Sequence, residues 1–246
     1  MSPKLKKTII VLTGVLASSS AFSSPNTVQK SWEFSLSPYM WLTDHKGSGG
    51  SPALPPADIS SKDLLSDAHF SASFVAAAQK GAHGIYADYS YSDLRSEEMI
   101  GPIIGNFNVN TKTTLFSLAY GFDVWENSNT NVKLLAGARY WDVDYQYKID
   151  SITFSSEASD RWFDATLGVW AKHHFENSKF YLSGGANVGG LSSKYFYDVQ
   201  TNLGYQWTSS IGTLLGYRYF DVDYNKNDFV YDVAQKGLHL GFSWSF

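Results

Sequence analysis

The chain has 246 residues, a formal net charge of −4 and no cysteine. The acidic balance excludes a nucleic-acid partner, which calls for a basic face, and the missing cysteines exclude disulfides as a source of stability. Aromatic residues make up 16% of the chain although its mean hydropathy is only −0.22, a pairing that fits strands with one apolar and one polar face.

In chain order, Lys4, Lys6 and Lys7 precede an apolar run from Thr8 to Ala17 and small residues from Ser18 to Ser24. This is the order of a secretory signal peptide, with Ala21 and Ser23 at the small positions before a cut. The run is about half the length of a membrane-spanning helix. Residues 1–23 are therefore expected to be removed, leaving 24–246 as a single domain.

The first strand is expected over 31–43, with Trp32, Phe34, Leu36, Pro38 and Met40 on one parity, and Pro38 predicts a local break in one ladder. Residues 44–67 read as a long polar connection, with a helical turn expected in SKDLLSD (61–67). Strands follow over 68–79, 85–93, 109–124, 131–147, 160–175, 180–191, 195–208, 213–224 and 230–246. Tight turns separate them at 81–84, 126–130, 176–179 and 209–212, alternating with polar stretches at 94–108, 148–159, 192–195 and 225–229. The pattern gives ten strands, with eight as the alternative because the seventh and eighth are joined by the shortest link. In the last strand Leu238, Leu240, Phe242, Trp244 and Phe246 alternate with Gly237, His239, Gly241, Ser243 and Ser245. A soluble sheet would leave that face exposed, whereas a closed membrane barrel turns it to lipid.

A terminal Phe with aromatics two and four positions earlier resembles the C-terminal signature of bacterial outer-membrane barrels. The alternation of tight turns and longer loops resembles the small barrels of that class, such as the OmpA membrane domain and the OmpW group. The resemblance covers the mature chain by pattern and carries over no functional residue. It implies an antiparallel up-and-down barrel in the cell outer membrane, surrounded by outer-membrane lipid. It also implies that the barrel assembly machinery recognises Leu240, Phe242, Trp244 and Phe246. A monomer is the expected state.

By parity, the lumen receives Glu33, Asp88 and Asp164 against Arg139, Lys172 and Arg218, with His239 among them. In so narrow a barrel, unpaired charges cost several kcal/mol each, so a charge-paired lumen is expected. The alternative is a narrow diffusion channel whose ion pairs part to admit small solutes. LLAGARYWDVDYQ (134–146) is echoed by LLGYRYFDVDYN (214–225), which puts Asp142, Asp144, Asp221 and Asp223 near the outer rim as solvated acids, or as oxygen ligands for a divalent cation if they meet.

Catalysis is the least expected role. Resemblance to omptin-like proteases would call for acidic residues with a His at the outer rim, and resemblance to lipid A hydrolases for a Ser, a His and an acid on the lipid face. Asp44 with His45 and Asp67 with His69, at the first loop, lack a spacing that marks a nucleophile or an activated water, and His173 and His174 are expected near a periplasmic turn, away from a lipid head group. No phosphate-binding loop, dinucleotide fingerprint or zinc spacing occurs, so no cofactor and no metal site is expected. The external ligand stays open.

Overall fold

The computed structural model describes residues 31–52, 57–59, 70–101, 105–149, 154–226 and 228–246. Its strands are β1 (Glu33–Gly50), β2 (Ala57–Ile59), β3 (Phe70–Lys80), β4 (His83–Gly101), β5 (Gly105–Glu126), β6 (Thr130–Ile149), β7 (Phe154–His174), β8 (Phe180–Leu191), β9 (Tyr195–Gln206), β10 (Ile211–Lys226) and β11 (Phe229–Ser245). Every pairing is antiparallel. β11 returns to β1 over Ser35↔Ser245 to Gly50↔Val230, closing a barrel of ten strands in which β2 is a short appendage on the upper part of β1. β8 and β9 are separate strands, which settles the count at ten rather than eight.

Closure follows from the alternation. A strand facing lipid must pair all its backbone groups, and only a closed sheet does so without an edge. The ladder of β1 with β11 omits Ser37 and Pro38 without losing register, because proline has no N–H to give. At the tight-turn rim, Gly81 (φ 60°) supplies the positive φ of the two-residue turn joining Lys80 to His83.

Apolar side chains face outward in a belt. On β10, Ile211, Leu215, Tyr217 and Tyr219 span about nine residues, the length a tilted strand needs to cross the bilayer core. Trp32, Phe34, Trp207, Trp244 and Phe246 ring its lower edge, and Tyr140, Phe163, Tyr197 and Tyr219 ring the upper.

The wall continues well above this belt. β5 is 22 residues long, and β4 and β5 stay paired up to Gly101↔Gly105. Much of 94–108 and 148–159, expected as loop, is therefore strand. Above the bilayer the outer face meets water, so the apolar-out signal that marked the lower strands disappears. The proposed helical turn at 61–67 and the signal peptide lie outside the described residues.

Inside this upper part the polarity reverses. Val109, Trp141, Val143, Tyr145, Tyr147, Trp162, Phe196, Phe220, Val222, Tyr224, Phe229, Tyr231 and Val233 point inward and form one buried core. Asp142, Asp144, Asp221, Asp223 and Asp232 alternate with them on the outside.

One segment of wall is low. β7 pairs with β6 up to Phe154↔Ile149 but with β8 only up to Asp164↔Leu191. Above that hairpin, β7 and β10 meet directly: Trp162 stacks on Tyr224 with ring centroids 3.9 Å apart and planes 8° from parallel, and Tyr224 Oη donates to Asp160 Oδ2 at 2.7 Å.

Candidate functional site

The middle of the lumen is held by charge. Arg218 on β10 donates side-on to Asp198 on β9, Nε to Oδ1 at 2.8 Å and Nη2 to Oδ2 at 2.6 Å. Arg139 on β6 reaches across the barrel to the same carboxylate, Nη2 to Oδ2 at 3.0 Å, while its Nε donates to Ser117 Oγ at 2.8 Å. Arg218 Nη1 donates to Tyr39 Oη at 3.1 Å, Tyr39 Oη donates to Asp88 Oδ1 at 3.0 Å, and Asp88 lies 3.7 Å from Arg218 Nη2. Two guanidinium groups thus meet two carboxylates. The planar fork of Arg suits this sharing, because one edge grips a carboxylate while other nitrogens bond elsewhere. His239 Nε2 closes the level through Asn202 Oδ1.

The aromatic core lies on top of this layer. Arg139 stacks its guanidinium over Phe196, 4.7 Å from the ring centroid, and Arg218 stacks over Trp41 at 4.8 Å. Trp141 then packs against Trp162, Phe196, Phe220 and Tyr231. These rings come from β6, β7, β9, β10 and β11, so they meet across the bore rather than along one wall.

The lower end carries a separate polar set. Lys133 Nζ donates to Tyr86 Oη at 2.6 Å and Gln79 Oε1 at 3.1 Å and lies 3.6 Å from Asp123. Gln79 Nε2 donates to Asp123 Oδ2 at 3.0 Å. Tyrosines here lie over glycine: a Cβ on Gly204 would fall 2.0 Å from the Tyr181 ring, and one on Gly121 would fall 2.5 Å from Tyr86. The missing side chains leave room for these rings.

The expected lumen set divides accordingly. Asp88, Arg139, Arg218 and His239 converge at the middle. Asp164 is buried but bonds no cation among the described residues: it accepts from Ser192 N at 2.9 Å, Ser193 N at 2.8 Å, Ser193 Oγ at 2.6 Å and Trp162 Nε1 at 3.2 Å, fixing the β8–β9 turn. Lys172 lies over the Tyr181 ring at 4.2 Å. Glu33 is exposed at the tight-turn rim. Asp198, the hub, was missed, although counting back from Asn202 by twos places it on the inward parity. Lys133 and Asp123 were missed too, although counting by twos from Arg139 on β6 and from Ser117 on β5 places both on the inward parity; the bulge on β5 lies beyond Asp123.

The four rim acids do not meet. Asp142 and Asp144 are on β6, Asp221 and Asp223 on β10, with three strands between. Asp142 accepts from Tyr140 Oη at 3.4 Å and pairs with Arg161 Nε at 3.0 Å. In the echoed segment, Asp221 accepts from Tyr219 Oη at 3.1 Å. Lys194 donates to Asp223 Oδ2 at 2.8 Å, which raises the lysine pKa. Among the described residues, no three His, Asp, Glu or Cys side chains are grouped to hold a metal ion.

Asp44 and His45 occupy opposite faces of β1. His45 is buried, with Nδ1 2.9 Å from Gln235 Nε2. His173 and His174 are exposed near the tight turns, the former 2.8 Å from Thr130 Oγ1. Asp67 and His69 lie outside the described residues.

No family model and no curated protein sequence matches the chain. Among solved structures, it is similar to the outer membrane protease OmpT of Escherichia coli, with a TM-score of 0.52 at 11% identity, covering 87% of this chain and 96% of that one. It is also similar to the translocator domain of the autotransporter NalP of Neisseria meningitidis, with a TM-score of 0.51 at 9% identity and 90% of each chain covered. A protease and a translocator sharing this architecture give the fold, that of an outer-membrane β-barrel, and no activity.

Proposed function

We propose that this chain is a sealed barrel of the bacterial outer membrane, with a structural or interaction role at the cell surface rather than a role in conduction. One observation carries the reading: the bore is filled across its section, by the Arg139–Asp198–Arg218–Asp88 layer and by the aromatic core above it. A solute would have to break charge-assisted hydrogen bonds in a low-dielectric interior and then displace packed rings. A channel keeps polar walls and water along its length. What the barrel offers outward is its tall, polar upper wall and the connections at its rim, and these are where a partner is expected to bind.

The test is the conductance of the refolded mature protein in a planar bilayer. The expected result is a correctly folded barrel that is electrically silent. Discrete, reproducible steps would instead favour the narrow diffusion channel, and Arg139→Ala and Arg218→Ala would then be expected to change their size.

A further inference from the structure

We propose that the outward face of β6 to β9 binds a phosphorylated, multiply acylated glycolipid of the lipid A type, with an acyl chain in a groove beneath the β8–β9 hairpin and a phosphate against Arg161 and Lys194. The inference rests on the membrane placement of the barrel proposed above and is independent of whether the lumen conducts.

Strand register builds the groove row by row. Ala136, Leu167, Val188 and Tyr197 form one row across β6, β7, β8 and β9, and Ala138, Ala165 and Gly190 form the row above. Above these come Tyr140 beside Phe163, and then Asp142 beside Arg161. The small residues Ala136, Ala165 and Gly190 leave a depression of about 820 Å³, in the size range of sites that take a small-molecule ligand.

Two aromatic ridges bound it. On one side Tyr140 and Phe163 pack with centroids 4.9 Å apart. On the other, Tyr195, Tyr197 and Tyr219 stack in series at 5.9 and 5.8 Å, with planes 16° apart in both steps. The lining is apolar and faces the hydrocarbon, where acyl chains are the available occupant. Such a furrow suits one chain held in place better than a lipid that slides along a smooth wall.

The upper end of the groove selects the head group. Arg161 stands one outward position above Phe163, and Lys194 directly precedes the lining residue Tyr195. Their side chains are 69% and 76% exposed. Arg161 engages Asp142 through Nε, and its two terminal nitrogens have no partner among the described residues. Lys194 keeps donors beyond the one given to Asp223. Asp142 and Asp223 neutralise these two cations, and Asp144, Asp221 and Asp232 stand on the same outward face, so a phosphate here is held by directed donors and not by net attraction. Because the β8–β9 hairpin stops at this level, the bulk of a glycolipid head has room above it, outside the seam where β7 and β10 meet.

The experiment uses the refolded full barrel, mixed in detergent micelles with defined lipid A or with phosphatidylglycerol and read by native mass spectrometry after detergent exchange. Two variants are compared with the parent: Ala165→Phe, which fills the groove from an exposed position, and the double variant Arg161→Glu with Lys194→Glu. Circular dichroism and heat-modifiable gel mobility establish folding. The expected result is one lipid A retained by the parent and about tenfold or greater loss of retention in each variant, as expected for phosphate contacts at a membrane surface. Retention at the parental level by either folded variant overturns the assignment. Phosphatidylglycerol held as well as lipid A overturns the glycolipid specificity. A silent or conducting lumen bears on neither outcome.

Discussion

Arg139 and Arg218 share one carboxylate oxygen, Asp198 Oδ2, at 3.0 and 2.6 Å from their Nη2 atoms. The two arginines hold equivalent places in the echoed segments LLAGARYWDVDYQ and LLGYRYFDVDYN, on strands separated by β7, β8 and β9. Replacing Asp198 with Asn keeps the shape and leaves two buried guanidinium groups against a neutral amide. The expected cost is about 3–5 kcal/mol in the free energy of unfolding, measured by urea titration of the barrel refolded in lipid vesicles. Asp88→Asn is expected to cost less, because its side chain is 27% exposed while that of Asp198 is 4% exposed.

Trp141 is fully buried at the centre of the aromatic core. Trp141→Ala removes its contacts with four neighbouring rings and is expected to destabilise the barrel by about 3–5 kcal/mol. The charged layer below remains, so the variant is expected to stay silent in a planar bilayer. Combining it with Arg139→Ala and Arg218→Ala removes both barriers, and the same measurement should then record current steps.

Asp223 and Asp232 stand directly opposite each other on β10 and β11, on the water-facing side of the upper wall. Like charges in cross-strand pairs are unfavourable by about 0.2–1 kcal/mol, so Asp232→Asn is expected to stabilise by that order, and less as salt is added. The pKa of Asp232 is raised, first by burial and then by the charges of Asp223 and Asp221. A raised carboxyl pKa means that the folded state holds the proton more tightly than the unfolded one. The unfavourable contribution is therefore present above the folded pKa and fades as pH falls toward the ordinary carboxylate value. Unfolding curves of the parent and Asp232→Asn should accordingly converge on acidification from neutral pH.

Phe246 exchanges two backbone hydrogen bonds with Phe34, at 3.0 and 2.9 Å, and stacks on its ring. Phe246→Ala preserves the backbone bonds, and the side chain is 65% exposed, so the stability of the refolded protein should change by no more than about 1 kcal/mol. If Leu240, Phe242, Trp244 and Phe246 are what the assembly machinery reads, the amount of folded barrel in cell membranes should nevertheless fall several-fold. An unchanged yield in cells would remove that role from the C-terminal strand.

The lower barrel was legible because lipid imposes one rule on every strand. Leu134, Ala136 and Ala138, or Leu238, Leu240 and Phe242, face outward because hydrocarbon lies there, and the residues between them face the lumen. This placed Arg139 and Arg218 on the inward parity from sequence alone. The pairing itself was not legible, because strand parity says which way a side chain points and nothing of its height against a distant strand. Asp164 and Asp198 share an inward parity, yet one lies at the level of a hairpin and caps it, while the other lies where two arginines arrive. Above Tyr140 the rule fails. Val143, Tyr145 and Tyr147 are inward and apolar, the opposite of Leu134 and Ala136 on the same strand, and the polar segments there read as loops.

That reversal along β6 means that the two halves of one wall are stabilised against different media. Hydrophobic burial in water holds the upper half together, as in a soluble protein, and weakens when urea solvates apolar surface. The lower half has few large apolar side chains inside and relies on closed backbone pairing in hydrocarbon. Shortening the acyl chains of the surrounding lipid should therefore loosen the lower half and leave the upper half closed, while urea should attack the two in the opposite order.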